Sequence, residues 1–542
     1  MLKYDFLFQY EPDRQPRGVY SLKQFPKFSF ELVRNDLPSS VGAALGNALL
    51  RDCSDLFKDP EIVEHITLDR GKLDRQKQKV KVLASEKSDE VQSLVCVGVD
   101  GKTDKTLVMS EYEENGEKYI KKAMEKENHM TVTVESGEKS GQYLTHTNIP
   151  VVGATGSLHA AELYRVLEQY DSLESIQGIL LDNTSVNTGH KTGLVVELEK
   201  LLKRRLHTVG CNLHQNELPF RAVFKNMDGT TKSPNHFSGP MGKQAEKNHD
   251  TKKIEAFKVI DSPVKDMEFT EEVIADLSSD QRLLYEHTIG ISSGEMNVRF
   301  AHRTIGPVNH ARWLTLAIRL QSAYIHTENP SENLIKIVTY IQQVYSPCWF
   351  LHKRSNKLHE APAIMLYMIK QMRAQTAEIQ EISIKNLKNN AFCLLPENII
   401  YCMLLDDDEE VRALALHRIL QIRESPPSNR INRILPINKD AEKYFDLVDI
   451  HGPDIAEPPT TVRYTDLELK EMLENHTKPD LPIFPSHSQS VERAVKLVSE
   501  ASVCVYGQER RHQHICGKVL SRNLRKSFAS KSDYEESYDD IL

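Results

Sequence analysis

VCVGVDGKTDKT spans residues 95–106 and GILLDNTSVNTG spans residues 178–189. Both begin as short apolar runs rich in β-branched residues and end in an acid, Asp100 in the first and Asp182 in the second. That pattern predicts two buried strands, each carrying a carboxylate at its carboxyl end. Open α/β sheets tend to bind ligands at that edge. Around the first run, TLVMSEY is expected to follow as a strand after a short polar turn, then HMTVTVES and QYLTHTNIPVV, which makes three or four strands in series. A helix is expected from about 157 to 169. After Asp182, NTSVNTG turns the chain into a helix in HKTGLVVELEKLLKRRL, HTVGC forms a short strand, and LHQNELPFRAVFKNM forms an amphipathic helix. Strands in series followed by helix–strand alternation predict an α/β domain with a mixed sheet.

Further out the pattern changes. Residues 1–90 read as mostly helical, with Ser39 or Ser40 expected to cap VGAALGNALLRDCSDLF. The polar basic run from Asp69 to Lys81 reads either as a solvated helix face or linker or as a DNA-backbone contact. Residues 228–265 are polar and irregular and are expected to form an exposed loop. From about 270 to 425 the spacing is helical almost throughout. A Pro- and Asn-rich break, SPPSNRINRILPIN, follows, and a further amphipathic helix is expected near 488–499. The resulting division is a helical N-terminal region (1–90), the first part of the α/β domain with its polar loop (91–265), a helical block (266–480), a C-terminal helix completing the α/β domain (481–525) and an acidic disordered tail (526–542).

Composition narrows the classes. A chain of 542 residues exceeds one ordinary core, and 27% charged with 39% hydrophobic residues suits folded domains. The net charge of −8, from 69 basic and 77 acidic residues, argues against coating nucleic acid by charge alone but leaves room for a local basic groove. The first residues carry no signal-peptide pattern, and no apolar run approaches the ~20 residues of a membrane span. The chain is therefore expected to be intracellular, with no membrane partner and with its 8 scattered cysteines as free thiols. No Cys-x-x-Cys pair is present, so a zinc finger of the usual kind is missing.

Several segments, in this order, carry a resemblance. LLDNTSVN ends a strand in an Asp-Asn pair. Cys211-Asn-Leu-His214 follows as Cys-x-x-His. Arg312-Trp313 stands in NHARWL. PSHSQSVERAVKL (485–497) is a Ser-rich stretch leading into Glu492-Arg493 on a helix. The set resembles hAT-family DNA transposases over roughly residues 90–525, and most of all the divergent transposon-derived hAT-like proteins of invertebrates. The resemblance implies an RNase H-like sheet interrupted by an all-helical insertion. It also implies that Asp100, Asp182 and Glu492 are catalytic and hold Mg2+ (or Mn2+), a hard cation suited to carboxylate oxygens. The partners it implies are double-stranded DNA (transposon ends and target) and further copies of the chain in a homo-oligomer, in the nucleus. Arg312 is implied as a phosphate contact and Trp313 as a stacking platform for a flipped base, against the alternative of a core aromatic. Cys211 and His214 read as structural residues buttressing the sheet, because a structural zinc needs four ligands. His190 and Lys191 read as DNA contacts or as capping residues.

Two basic patches, LEKLLKRRLH and RRHQHICGKVLSRNLRKSF, are solvated faces or phosphate tracks. The family's N-terminal BED zinc finger has no counterpart here, and the segment after Asp100 lacks the aromatic residue that the commoner family pattern has nearby. The function implied is cut-and-paste transposition. A domesticated derivative that binds DNA or protein without turnover is the alternative, and an unrelated RNase H-like nuclease or α/β–helical scaffold is a third reading.

Overall fold

A computed structural model describes residues 25–523, apart from 57–62, 64–65, 92, 115–116, 150–154, 234–235, 248–252, 276, 307–311, 389, 427–432 and 488. The expectations for residues 1–24 and for the acidic tail at 526–542 lie outside the described residues.

A mixed five-stranded sheet forms the centre: β1 (Cys96–Glu114), β2 (Glu117–Val134), β3 (Tyr143–Ile149), β4 (Gly178–Leu181) and β5 (His207–Gly210), in the order β3-β2-β1-β4-β5. β1 and β2 are antiparallel, as are β2 and β3, whereas β1–β4 and β4–β5 are parallel. The short strands β4 and β5 are buried throughout; β4 is an unbroken apolar run, GILL, and β5 buries His207 by hydrogen-bonding it to Asn398 and Thr460. The expected polar turn after Asp100 does not occur. Residues 101–106 pair residue by residue with 125–130, so VCVGVD and TLVMSEY are one strand. DGKTDK contains no residue that must leave the extended region, and its polar side chains suit a ribbon that is wet on one face and meets α16 through polar groups on the other.

Seventeen helices of nine residues or more surround the sheet among the described residues. The first three are α1 (Pro26–Arg34), α2 (Ser39–Asp52) and α3 (Arg70–Asp89). Pro38, not a serine, occupies the N-cap of α2, and Ser39 is already helical. The run from Asp69 to Lys81 is the start of α3, with the Asp69 carboxylate accepting from the Lys72 N–H. α4 (Gly156–Gln169) and α5 (Leu194–Leu202) cover one face of the sheet, packing Leu163, Leu167 and Leu198 against Val97, Val99 and Ile179. α6 (Asn212–Asp228) follows β5 directly.

The segment expected to be an exposed loop at 228–265 is substantially built in. A small two-stranded sheet and a helix (Pro240–Ala245) bury Phe237, Met241 and Ala245, and the Asp228 carboxylate accepts from the Met241 and Gly242 N–H groups. Apolar residues spaced singly through a polar stretch give no periodic signal, so this packing was invisible to pattern reading.

The helical block contains α7 (Ser279–Ser293), α8 (Arg312–Ile325), α9 (Glu332–Tyr340), α10 (Ser346–Arg354), α11 (Ala361–Arg373), α12 (Ala377–Leu387), α13 (Pro396–Leu404), α14 (Glu409–Glu424) and α15 (Asp466–Glu474). It does not stand apart from the sheet. One hydrophobic cluster runs from Cys96, Leu180 and Val209 on the strands through the helices to Phe484. The chain then returns as α16 (Gln489–Ser502) and α17 (Gln508–Asn523). No helix of the described residues is long and apolar enough to cross a membrane.

Candidate active site

The strand register brings two acids together. Val99 pairs with Leu181 across the parallel β1–β4 ladder. One residue further on, Asp100 and Asp182 leave neighbouring strands side by side, on one face, with backbones ~4.8 Å apart. By the two-residue period this is also the face of Gly98. There α16 crosses β1 so closely that a methyl group on Gly98 would come within 2.5 Å of Val491 Cγ2 and 2.6 Å of Thr133 Oγ1. Gly98 is therefore the seat of α16, and Glu492 follows Val491 in that helix's first turn. Lys102 Nζ donates to Ser499 Oγ at 2.9 Å, and Ser499 Oγ donates to Asp104 Oδ2 at 2.6 Å, holding the helix further along β1.

The segment leading into α16 is stitched to the rest of the chain. Asn356 Oδ1 accepts from the N–H groups of Ser486 and His487, and the Leu358 N–H donates to the Phe484 carbonyl. At the start of α6, the Asn212 N–H donates to the Ser486 carbonyl, and the Cys211 N–H donates to the Leu181 carbonyl. The ends of β4 and β5, α6 and the α16 approach thus meet at one point.

Electrostatics shows that the acids sense one another. Burial, and then the neighbouring Asp182 and Glu492 carboxylates, push the Asp100 carboxyl up to about 7, against the pull of the Gly101 N–H that it accepts. Glu492 is exposed to solvent, yet it is raised above its ordinary range chiefly by desolvation, with Arg493 opposing. A side chain that is wet but crowded by protein lies in the wall of a cleft. Asp182 Oδ1 accepts from Thr184 N, Thr184 Oγ1 and, at 2.6 Å, Asn187 Nδ2. Its Oδ2 has no hydrogen-bond partner among the described residues.

A fourth acid, Glu217 on α6, belongs to the same cleft. Burial, then Glu492, push it up to about 8. It lies one turn from His214, whose Nδ1 is 3.9 Å from Glu217 Oε2. The His214 imidazole is held below its ordinary value by burial, against the pull of Asp182, so it is neutral at neutral pH. Burial pushes the Cys211 thiol up to about 12, which keeps it protonated. Sequence reading passed over Glu217; the available signal was its i+3 spacing from His214, which puts both on one helix face.

The remaining candidates sit elsewhere. Trp313 is 6% exposed in the core, edge-on to Phe220 at 6.0 Å and to Phe224 at 6.5 Å, so its ring offers no open face to a base in this conformation. Arg312 begins α8, and its side chain lies outside the described residues. His190 and Lys191 are exposed on the loop before α5. Among the described residues, several members of the two basic patches are engaged within the chain. Arg204 donates to the Leu173 carbonyl and Arg205 pairs with Glu199. In the second patch, Arg511 is buried against Glu127 and Lys518 pairs with Asp36. Among the described residues no three His, Cys, Asp or Glu side chains are gathered closely enough to hold a metal ion.

Comparison with known proteins adds little. No family model matches the chain, and no curated protein matches it. Among solved structures it is similar to one described as the Drosophila P element transposase strand transfer complex, at 9% identity over 96% of this chain and 97% of that one, with a TM-score of 0.34. A score of that size does not establish a shared fold, and the functional reading rests on this chain's own residues.

Proposed function

We propose that this chain cleaves and joins DNA strands with the help of a divalent cation, as a cut-and-paste transposase of hAT type. The observation that carries the reading is the β1–β4 register, which sets Asp100 beside Asp182 on the face where α16 brings in Glu492. The strand order, with β2 alone antiparallel to its neighbours on both sides, supports an RNase H-like identity for the sheet. The donor chemistry suits Mg2+ or Mn2+, because all three groups offer hard carboxylate oxygens. Burial, and then the repulsion of Asp182 and Glu492, lift Asp100 to about 7, and a bound cation would relieve both. When bound, a pair of such ions supplies an activated water and neutralises the leaving oxygen of a phosphodiester.

The protein's own groups do the rest. Asp182, with Oδ1 taken by Thr184 and Asn187, keeps Oδ2 for a ligand. Glu492 carries a third carboxylate to the opposite wall, and the neutral His214 adds no competing charge beside Asp182. Duplex DNA is the substrate, and pairing two DNA ends calls for a homo-oligomer in the nucleus. A second reading, a domesticated DNA- or protein-binding derivative, is favoured by one observation: no three acids are gathered closely enough to hold an ion among the described residues.

The deciding experiment is cleavage of end-labelled duplex DNA by the purified full chain, with and without magnesium, compared with Asp182→Asn. Cleavage that requires the metal and disappears in the variant supports catalysis. Inactive wild-type protein on every duplex favours the binding derivative, and activity that survives in the variant puts the chemistry elsewhere.

A further inference from the structure

The β1–β2 ribbon is far longer than the sheet needs. β4 pairs only with residues 96–99 of β1, and β3 only with residues 128–133 of β2. Beyond Thr103, opposite Asn128, the two strands continue without a third strand as an arm to Glu114 opposite Glu117, roughly 37 Å at ~3.4 Å per residue. Directly opposed residues share a face and successive pairs alternate between faces.

The two faces differ in kind. One is satisfied internally: Ser110 Oγ donates to Glu125 at 2.8 Å, Lys121 Nζ lies 4.3 Å over the Tyr112 ring, and Tyr112 stacks on Tyr119 at 5.5 Å. Near its base this face packs on α16 through Thr106, His129 and Ser502. The other face carries Lys105, Lys118, Lys122 and Lys126, none of which has an ion-pair or hydrogen-bond partner among the described residues, together with two acids, Glu111 opposite Ile120 and Glu113 opposite Lys118. Lys105 and Lys126 stand directly opposite each other, an arrangement that costs stability unless an anion lies between them. Between the lysines runs an apolar stripe of Leu107, Met109, Met124 and Ile120, with Ile120 63% exposed.

We propose that this lysine-bearing face, on the reverse of the ribbon from Asp100, binds double-stranded DNA, an inference that rests on the function proposed above. Charge complementarity selects the occupant. Four ammonium groups against two carboxylates leave this face locally basic on a chain with net charge −8, and duplex DNA offers a phosphate every ~3.4 Å along each strand. A two-stranded ribbon also fits the ~12 Å major groove, where an apolar stripe meets thymine methyl groups. The arm leaves the sheet at the edge where Asp100 and Asp182 lie, with the lysines on the reverse face from Asp100. Lys105 is ~17 Å and the Met109–Lys122 pair ~30 Å along the strand from Asp100, within about one ~34 Å turn of duplex.

The test is fluorescence anisotropy of a labelled duplex of about 40 base pairs with the full chain across a salt series. Lys122→Gln is compared with Lys121→Gln, its sequence neighbour on the opposite face, and with a variant carrying Gln at 105, 118, 122 and 126. Each phosphate contact adds ~0.9 to the slope of log affinity against log salt. Lys122→Gln should lower the slope by about 1 and the fourfold variant by about 3–4, with at least ~100-fold weaker binding near 0.1 M salt, while Lys121→Gln leaves it unchanged. The fourfold variant should melt at or above the wild type, because the Lys105–Lys126 repulsion is gone. Tight wild-type binding with an unchanged slope in the fourfold variant overturns this inference and leaves the proposed function standing. Wild-type protein that binds no duplex at all overturns both. A change in sedimenting mass without a change in slope makes the arm a contact between copies of the chain, which also overturns the inference.

Discussion

Replacing Asp100 by Asn should make the metal-free protein more stable at pH 8 while abolishing cleavage. Burial, and then the like charges of Asp182 and Glu492, disfavour the ionised Asp100, and its pKa rises from 3.8 to about 7. At ~1.4 kcal/mol per pH unit that rise corresponds to about 4 kcal/mol, an upper bound because the side chain is partly exposed and solvent screens its neighbours. A discounted figure is ~1–2 kcal/mol. The sign follows from proton binding. Between pH ~4 and ~7 the folded chain holds the Asp100 proton more tightly than the unfolded chain, so stability falls as pH rises through that window. The asparagine variant has no such loss. With an unfolding entropy of ~2.1 cal/mol/K per residue, a chain of 542 residues shifts its melting temperature by about 1 °C per kcal/mol. Scanning fluorimetry in chelator-treated buffer should therefore place Asp100→Asn ~1–2 °C above wild type at pH 8, with the gap closing toward pH 5. Magnesium at ten times its dissociation constant should then raise the wild type by ~1.4 kcal/mol and leave the variant nearly unmoved. A variant that melts below wild type at pH 8 without metal would refute the reasoning, because Asp100 would then be held by favourable partners.

Other consequences can be checked with similar means. Gly98→Ala pushes a methyl group against Val491 and Thr133, so it should cost ~1–3 kcal/mol and reduce metal-dependent cleavage by displacing Glu492; unchanged melting and activity would remove Gly98 as the seat of α16. Trp313→Ala should destabilise by ~3–5 kcal/mol as a core deletion, visible as a lower melting temperature in the absence of DNA, whereas a loss of DNA affinity at unchanged stability would make it a surface platform. His146 is buried and held down to about 3, with its Nδ1 on the Tyr143 hydroxyl. Because the unfolded chain takes up that proton first, stability is lost as pH falls from ~6.5 toward ~3, and His146→Gln should move the acid-unfolding midpoint to lower pH. Glu217→Gln should raise stability at pH 9, since burial beside Glu492 disfavours its ionised form; a drop instead would point to a partner for its carboxylate.

Much of the centre was legible because its signals are local. An apolar β-branched run that ends in an acid needs no distant information, and GILLD and VCVGVD were placed as strands on that basis. The helical block was legible from periodicity. The polar turn after Asp100 does not occur for a physical reason: a ribbon wet on one face and packed through polar groups on the other has the composition of a loop, and only the pairing of 101–106 with 125–130 reveals it. The built-in segment at 228–265 was missed because its anchors, Phe237 and Met241, are isolated apolar residues whose partners come from other helices. Trp313 shows the reverse hazard. An aromatic within a motif invites a ligand role, but burial against Phe220 and Phe224 depends on helices that no local reading positions.

Glu492 is the hardest of the three acids to read locally, and the structure shows what its position depends on. Nearly three hundred residues separate Cys211 from the α16 approach, yet the Asn212 N–H meets the Ser486 carbonyl and Asn356 caps the same turn. Phe484, fully buried, packs its ring 5.1 Å from His207 of β5 and 5.5 Å from Tyr401 of α13. The helical block therefore acts as the scaffold that returns α16 to the sheet and sets the register of Val491 over Gly98. Loosening that return, as in Asn356→Ala, removes the acceptor for two N–H groups of the approach turn, each costing ~1–3 kcal/mol if left unsatisfied in the interior. The local consequence falls on Glu492, because it sits six residues beyond Ser486, while Asp100 and Asp182 stay fixed by the β1–β4 ladder. A block of helices between the second acid and the third is thus what holds the third carboxylate in the cleft.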